Sequence, residues 1–222
     1  MAWRTMRGIA AGVLVMVTWA IAAPASAGLI TLETHTLDYL LGSGSIPDGS
    51  IQTTPMINGN LVANVRSQAY HNSSGDYAYL YQLSNTGTLA NAPVELFTLW
   101  PFTGVGTATK AGWLSGTLPT GFDGSATPQI PEPTARYRVL TSGPQISFYY
   151  SLDDYSIDPG EHSVVMYVTS RLRPDQITGN VIDGSVAFGN VVGPMPEPAT
   201  MALLGVGGLM TVIVRVRRRL VA

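Results

Sequence analysis

Residues 77–99 read YAYLYQLSNTGTLANAPVELFTL, and the reading of this stretch decides the fold. Successive side chains of an extended chain point to opposite sides, so Tyr77, Tyr79, Tyr81 and Leu83 share one face. Asn85-Thr86-Gly87 then supplies turn chemistry, and Val94–Leu99 resumes an apolar, strand-favouring run. A second stretch, residues 156–170, SIDPGEHSVVMYVTS, repeats the grammar. Its Asp158-Pro159-Gly160 turn leads into Ser163–Val168, which is almost continuously apolar, as expected of a central strand covered on both faces.

Outward from these two stretches the same pattern recurs. The predicted strands are Leu29–Leu37, Asn60–Tyr70, Asp76–Ser84, Val94–Leu99, Trp113–Leu118, Gln145–Leu152, His162–Ser170 and Ser185–Val192. Further turn signals stand at Gly179-Asn180 and Asp183-Gly184, and the serine-rich Ser43-Gly44-Ser45 and Ser73-Ser74-Gly75 read as loops. Twenty-four glycines, fifteen prolines and only 12% charged residues exclude a coiled coil or long-helix bundle. The expectation is all-β: a single β-sandwich, immunoglobulin-like or jelly-roll-like, flanked by an N-terminal signal helix and a C-terminal transmembrane helix. Both quoted stretches resemble strand pairs of bacterial immunoglobulin-like sandwich domains. That resemblance covers about 40 residues and implies packing only, because fold does not assign a site.

Charge divides the 222-residue chain into three parts. Arg4 and Arg7 stand at the start and Arg215, Arg217, Arg218 and Arg219 at the end. Between Gly28 and Pro194, six basic residues face thirteen acidic ones, a net of −7. An acidic body of this kind excludes a basic nucleic-acid surface. The absence of cysteine excludes a disulfide framework, a cysteine zinc site, an iron–sulfur cluster and a thiol nucleophile.

The first part, residues 1–27, has the form of a secretory signal peptide. Arg4 and Arg7 give a positive start, Ile9–Ala23 is uncharged and mostly apolar, and Ala25 and Ala27 are the small residues a signal peptidase reads. The exported domain is then 28–194. Export removes it from cytosolic nucleotides, and no G-x-x-x-x-G-K-S/T stretch occurs, so no cofactor is expected.

The last part, residues 195–222, has three pieces in order. Pro196-Glu197-Pro198 cannot continue a helix. Residues 199–214, ATMALLGVGGLMTVIV, carry no charge and as a helix would rise about 24 Å, short of a hydrocarbon core of about 30 Å but extendable by snorkelling arginines. Arg215, Arg217, Arg218 and Arg219 form a basic stop, which places residues 215–222 in the cytoplasm and the domain outside.

This order closely resembles the PEP-CTERM sorting tail of bacterial exported proteins, also catalogued as an ice-binding-protein C-terminal domain. The resemblance rests on Pro196-Glu197-Pro198-Ala199-Thr200, the apolar run and Arg217-Arg218-Arg219, and Leu220, Val221 and Ala222 depart slightly from a purely basic end. It implies an exosortase as processing partner, an inner-membrane-anchored precursor, and delivery to the cell surface or extracellular polymer, often biofilm material. A second tripeptide, Pro131-Glu132-Pro133, is followed by TARYRVL with no apolar span and reads as a surface loop.

The body holds few candidates for chemistry. His35, His71 and His162 are isolated and read as surface or turn histidines. No G-x-S-x-G elbow occurs. Asp153, Asp154, Asp158 and Glu161 form the densest acidic cluster, a weak calcium candidate beside the simpler reading of solvated loop carboxylates. Trp100, Phe102, Trp113, Phe122, Tyr149 and Tyr150 are candidates for a sugar-stacking face, with core packing the commoner fate. Thr103–Thr109 is too irregular for a flat ice-binding array. The expectation is a non-enzymatic surface or matrix protein with a structural or adhesive role. The alternative is a secreted carbohydrate-binding module or hydrolase acting on extracellular polysaccharide.

Overall fold

The computed structural model describes residues 27–88, 90–103, 109–124, 129–130, 134–140, 143–150 and 156–195. Fourteen strands and one short helix appear among them: β1 (Ala27–Ile30), β2 (Leu32–His35), α1 (Leu37–Leu41), β3 (Ile46–Asn58), β4 (Leu61–His71), β5 (Tyr77–Asn85), β6 (Leu96–Trp100), β7 (Ala111–Leu114), β8 (Gln129–Ile130), β9 (Thr134–Leu140), β10 (Gly143–Tyr149), β11 (His162–Ser163), β12 (Met166–Ser170), β13 (Pro174–Ile182) and β14 (Val186–Pro194). The expected signal peptide lies outside the described residues apart from Ala27, which opens β1. The sorting tail from residue 196 onward, including the expected membrane span, also lies outside them, and no helix among the described residues is long and apolar enough to cross a membrane.

The strands form two sheets. The first runs β1-β9-β10-β6-β13-β14 and is antiparallel throughout. The second runs β2-β7-β12-β5-β4-β3, with the short β11 and β8 branching from β5. Between the sheets, Tyr79, Tyr81 and Leu83 of β5 and Met166 and Val168 of β12 meet Phe97, Leu99, Ile146, Phe148, Val181 and Val191. Each such large side chain removed from water contributes roughly 1.5–3 kcal/mol. The alternate residues of the second sheet, Ala78, Leu80 and Tyr167, are buried too, under Leu41 of α1 and Phe122. The second sheet is therefore covered on both faces, which accounts for the continuous apolar run at 163–168.

The two sheets are stitched together along one side. β14 is an edge strand of the first sheet and would present unpaired backbone groups there. Side chains of the second sheet take them. The Asn190 carbonyl accepts from Gln52 Nε2 at 3.0 Å and from the Thr54 hydroxyl. The Val186 carbonyl accepts from Asn58 Nδ2 at 2.8 Å. The Val192 amide donates to Ser67 Oγ at 3.0 Å, and its carbonyl accepts from the Tyr81 hydroxyl at 2.7 Å. Burial pushes the Tyr81 phenol well above its ordinary value, and the Tyr79 phenol is raised for the same reason, with Tyr77 adding to it.

Several sequence expectations need correction. Leu29–Leu37 is not one strand: the chain breaks at Thr31, sends β1 and β2 to different sheets, and begins α1 at Leu37, where the Thr36 hydroxyl accepts from the Tyr39 amide. Trp113–Leu118 shortens to β7, and His162–Ser170 breaks between β11 and β12, where Val165 turns its carbonyl to the Leu114 amide. The Asn85-Thr86-Gly87 turn carries the chain between sheets, because β5 and β6 belong to different ones. Asn85 is almost fully buried there, donating to the Ala92 and Ile157 carbonyls and accepting from the Gly87 amide.

Four strands are additions, the two-residue β8 among them. β3 contains Pro47, Gly49 and Pro55 and still forms, because it is an edge strand with a bulge between Asp48 and Gln52. TARYRVL is β9, while Pro131-Glu132-Pro133 lies outside the described residues. Gly179-Asn180 is the middle of β13 and not a turn: a Cβ on Gly179 would sit 3.0 Å from Met56 Cε and 3.1 Å from a Val191 methyl, so glycine is there to admit close packing.

Candidate functional site

Two places have functional content: the junction with the sorting tail and the outer face of the first sheet. The junction is short. β14 ends at Pro194, whose carbonyl accepts from the Thr103 hydroxyl at 3.1 Å, and the Met195 amide donates to the Arg173 carbonyl at 3.3 Å. Pro196 is the next residue, so the tripeptide of the tail follows the last bonded residue of the domain directly. Pro196, Glu197, Pro198, Arg215, Arg217, Arg218, Arg219 and Ala25 lie outside the described residues.

The outer face follows from strand alternation. Ala135, Ile146, Phe148, Phe97, Leu99, Val181 and Val191 point into the core, so their neighbours point outward. Register aligns these neighbours in rows across the strands. The middle row is Arg136, Ser147, Thr98, Asn180 and Phe188, from β9 to β14. On one side of it Tyr149, Leu96, Ile182 and Val186 stand in register. On the other, Trp100, Thr178 and Asn190 do so, with Gln145 opposite Arg138. The centre of the middle row is small and polar, and larger side chains flank it. Thr98 and Ser147 are buried at its floor, and Asn180 Nδ2 donates to Thr98 Oγ1 at 3.1 Å.

Charge on this face is one-sided. Arg136 and Arg138 are exposed, and among the described residues no carboxylate points outward from it. The Arg136 guanidinium lies over the Tyr149 ring, 5.1 Å from its centroid. Phe188 is 74% exposed and Val186 45%, so the β14 end of the face is apolar and open.

The aromatic set expected from sequence does not form one stacking face. Phe102 and Tyr150 are fully buried in the inter-sheet core and Phe122 is buried against the other face of the second sheet. Trp113 stands on β7 in the second sheet, paired with Met166. Only Trp100 and Tyr149, both half-buried, share the outer face described above. The sequence reading missed Arg136 and Arg138. The signal was present in TARYRVL, where the two arginines alternate with Ala135, Tyr137 and Val139 at the two-residue period of a strand.

The acidic cluster is partly placed. Asp153 and Asp154 lie outside the described residues. A carboxylate oxygen of Glu161 accepts from the Asp158 amide at 3.0 Å, and an Asp158 oxygen faces the Ser156 hydroxyl at 3.4 Å. Among the described residues no three His, Cys, Asp or Glu side chains are gathered in a way that would hold a metal.

The histidines differ from the expectation of surface and turn positions. His162 is buried, its Nδ1 3.1 Å from the Ser163 carbonyl and 3.4 Å from Gln82 Nε2. Beside it Gln82 pairs with the Asp123 backbone in both directions, at 2.7 and 2.8 Å, and holds the segment around Phe122 over the second sheet. His35 meets Glu33 at 2.7 Å and stacks on Tyr39.

An all-β body of two packed sheets whose last strand ends directly before residue 196 is the class these features define. A family model described as the PEP-CTERM protein-sorting motif matches residues 196–219. No curated protein and no solved structure matches the chain. The motif identifies the tail and implies an exported, membrane-anchored precursor with an exosortase as its processing partner.

Proposed function

We propose that the chain is a non-enzymatic cell-surface or extracellular-matrix protein, delivered and processed through its PEP-CTERM tail and acting as a structural or adhesive domain. The carrying observation is the PEP-CTERM motif at residues 196–219, which follows the last β-strand directly in the sequence. A signal peptide at 1–27 and a membrane span at 199–214 complete the route. The arrangement of the body supports a non-catalytic role: the Glu161 carboxylate caps a turn, Gln82 and His162 bond neighbouring backbone, and His35 pairs with Glu33.

The test is to replace Pro196, Glu197 and Pro198 together with alanine in a host that expresses an exosortase. The expected outcome is loss of the processed form and retention of full-length protein in the inner membrane. Unchanged processing and surface delivery would refute the sorting reading. A second reading, a carbohydrate-binding module, is favoured by one specific observation, the outward-facing Trp100 and Tyr149 on the first sheet. A hydrolase has no such support.

A further inference from the structure

We infer that the outer face of the first sheet binds an acidic polysaccharide, laid across the strands past Arg136, Arg138, Tyr149 and Trp100. This deepens the adhesive reading and rests on it for where the ligand is met.

Charge is the first argument. The body carries a net of −7 with only six basic side chains, yet two of them stand together here with no carboxylate among the described residues of the face. Arg136 and Arg138 are two residues apart on one strand face, which places their backbones about 7 Å apart. Two exposed guanidiniums on a flat surface suit carboxylates repeated along an extended polymer, each able to accept a paired hydrogen bond.

Shape is the second. From β9 to β14 the middle row crosses four inter-strand steps of about 4.8 Å, about 19 Å in all. Its centre is filled by the small, buried Thr98 and Ser147, and the larger Tyr149 and Trp100 stand on either side of them. Aromatic rings offer apolar area for sugar faces, and the Asn180 amide offers polar groups for hydroxyls. The Arg136–Tyr149 contact holds one guanidinium beside one ring, so charge and stacking surface occur together.

An anionic membrane surface shares the charge but fits less well. Each basic group near such a surface contributes about 1 kcal/mol. A headgroup layer offers no sugar faces for the Tyr149 and Trp100 rings to stack on.

The experiment uses the purified full-length protein held in amphipol. Four probes are compared by calorimetry and affinity electrophoresis: polygalacturonate, its fully methyl-esterified form, polyglutamate, and dihexanoyl phosphatidylglycerol below its micelle concentration. The expected result is binding to polygalacturonate that weakens with salt and falls at least tenfold on methyl esterification, since each lost charge-assisted contact is worth about a factor of ten. Arg136→Gln with Arg138→Gln, and separately Tyr149→Ala, should each weaken it at least tenfold while the melting temperature is kept. Failure to bind polygalacturonate, equal binding of the esterified form, equal or tighter binding of polyglutamate or the lipid, or unaltered binding by either variant would overturn the inference. Delivery is read in cells and binding on purified protein, so the sorting reading and this one can fail separately.

Discussion

Tyr81 links the inter-sheet core to the seam at β14, and its removal can be worked through in numbers. Its ring is fully buried against Phe97, and its hydroxyl donates to the Val192 carbonyl at 2.7 Å. Tyr81→Phe keeps the ring and deletes only the donor. The Val192 carbonyl then loses its partner at a buried seam, which costs about 1–3 kcal/mol. For a domain of this size each kcal/mol shifts the melting temperature by about 2–4 °C, so a fall of about 2–12 °C is expected. The same variant has a pH signature. Burial raises the Tyr81 phenol well above its ordinary value in the folded state. A group raised on folding gives its full stability below the unfolded pKa of about 10 and loses it as pH rises above that. Each such phenol costs about 1.4 kcal/mol per pH unit in that range, and Tyr79 behaves in the same way. Wild-type protein should therefore lose about 2.8 kcal/mol per unit above pH 10 from the pair, and Tyr81→Phe about half of that. Burial raises the Tyr70 phenol as well, so it is the difference in slope between wild type and Tyr81→Phe that reports Tyr81. The assay is urea denaturation between pH 9 and pH 11.5, followed by circular dichroism. A variant with the wild-type melting temperature and the wild-type alkaline slope would show that the seam is not held as described.

Other perturbations have equally definite outcomes. Asn85→Ala removes bonds to Ala92, Ile157 and Gly87 in a buried crossover, and should cost about 3 kcal/mol or more by chemical denaturation. Gly112→Ala would place a Cβ 1.8 Å from the Glu33 carbonyl oxygen; it should detach β2 and expose its amides to hydrogen exchange well before the rest of the second sheet. Glu161→Ala removes the acceptor of the Asp158 amide and should cost about 1 kcal/mol. With the Glu161 carboxylate already engaged, millimolar calcium should leave the wild-type melting temperature unchanged, and an upward shift would revive the calcium candidate.

What the sequence disclosed depended on how each strand is covered. β5 and β12 sit mid-sheet with both faces buried, and their apolar runs at 77–83 and 163–168 are plain in the amino-acid order. β3 is hidden by Pro47, Gly49 and Pro55, residues that normally punctuate strands and that an edge position with a bulge tolerates. β13 is hidden by Gly179, which is there to make room for Met56 and Val191 and which reads as a turn without that tertiary contact. The sorting tail is legible because its signal is linear: tripeptide, span and basic stop occur in order. The outer face is not, because it joins residues from five strands whose register no single stretch reveals.

The close join between β14 and the tail also sets a load path. A domain held by its C-terminus and pulled by the flow of surrounding medium transmits the force along β14. That strand is registered with β13 at nine residue pairs and fastened on its free side by Gln52, Thr54, Asn58, Ser67 and Tyr81. Tension along the strand axis loads these bonds together, in shear, and does not open them one after another. The tethered end is thus mechanically the strongest part of the molecule, and rupture under force should begin elsewhere, at strands such as β2 that are paired along one edge only.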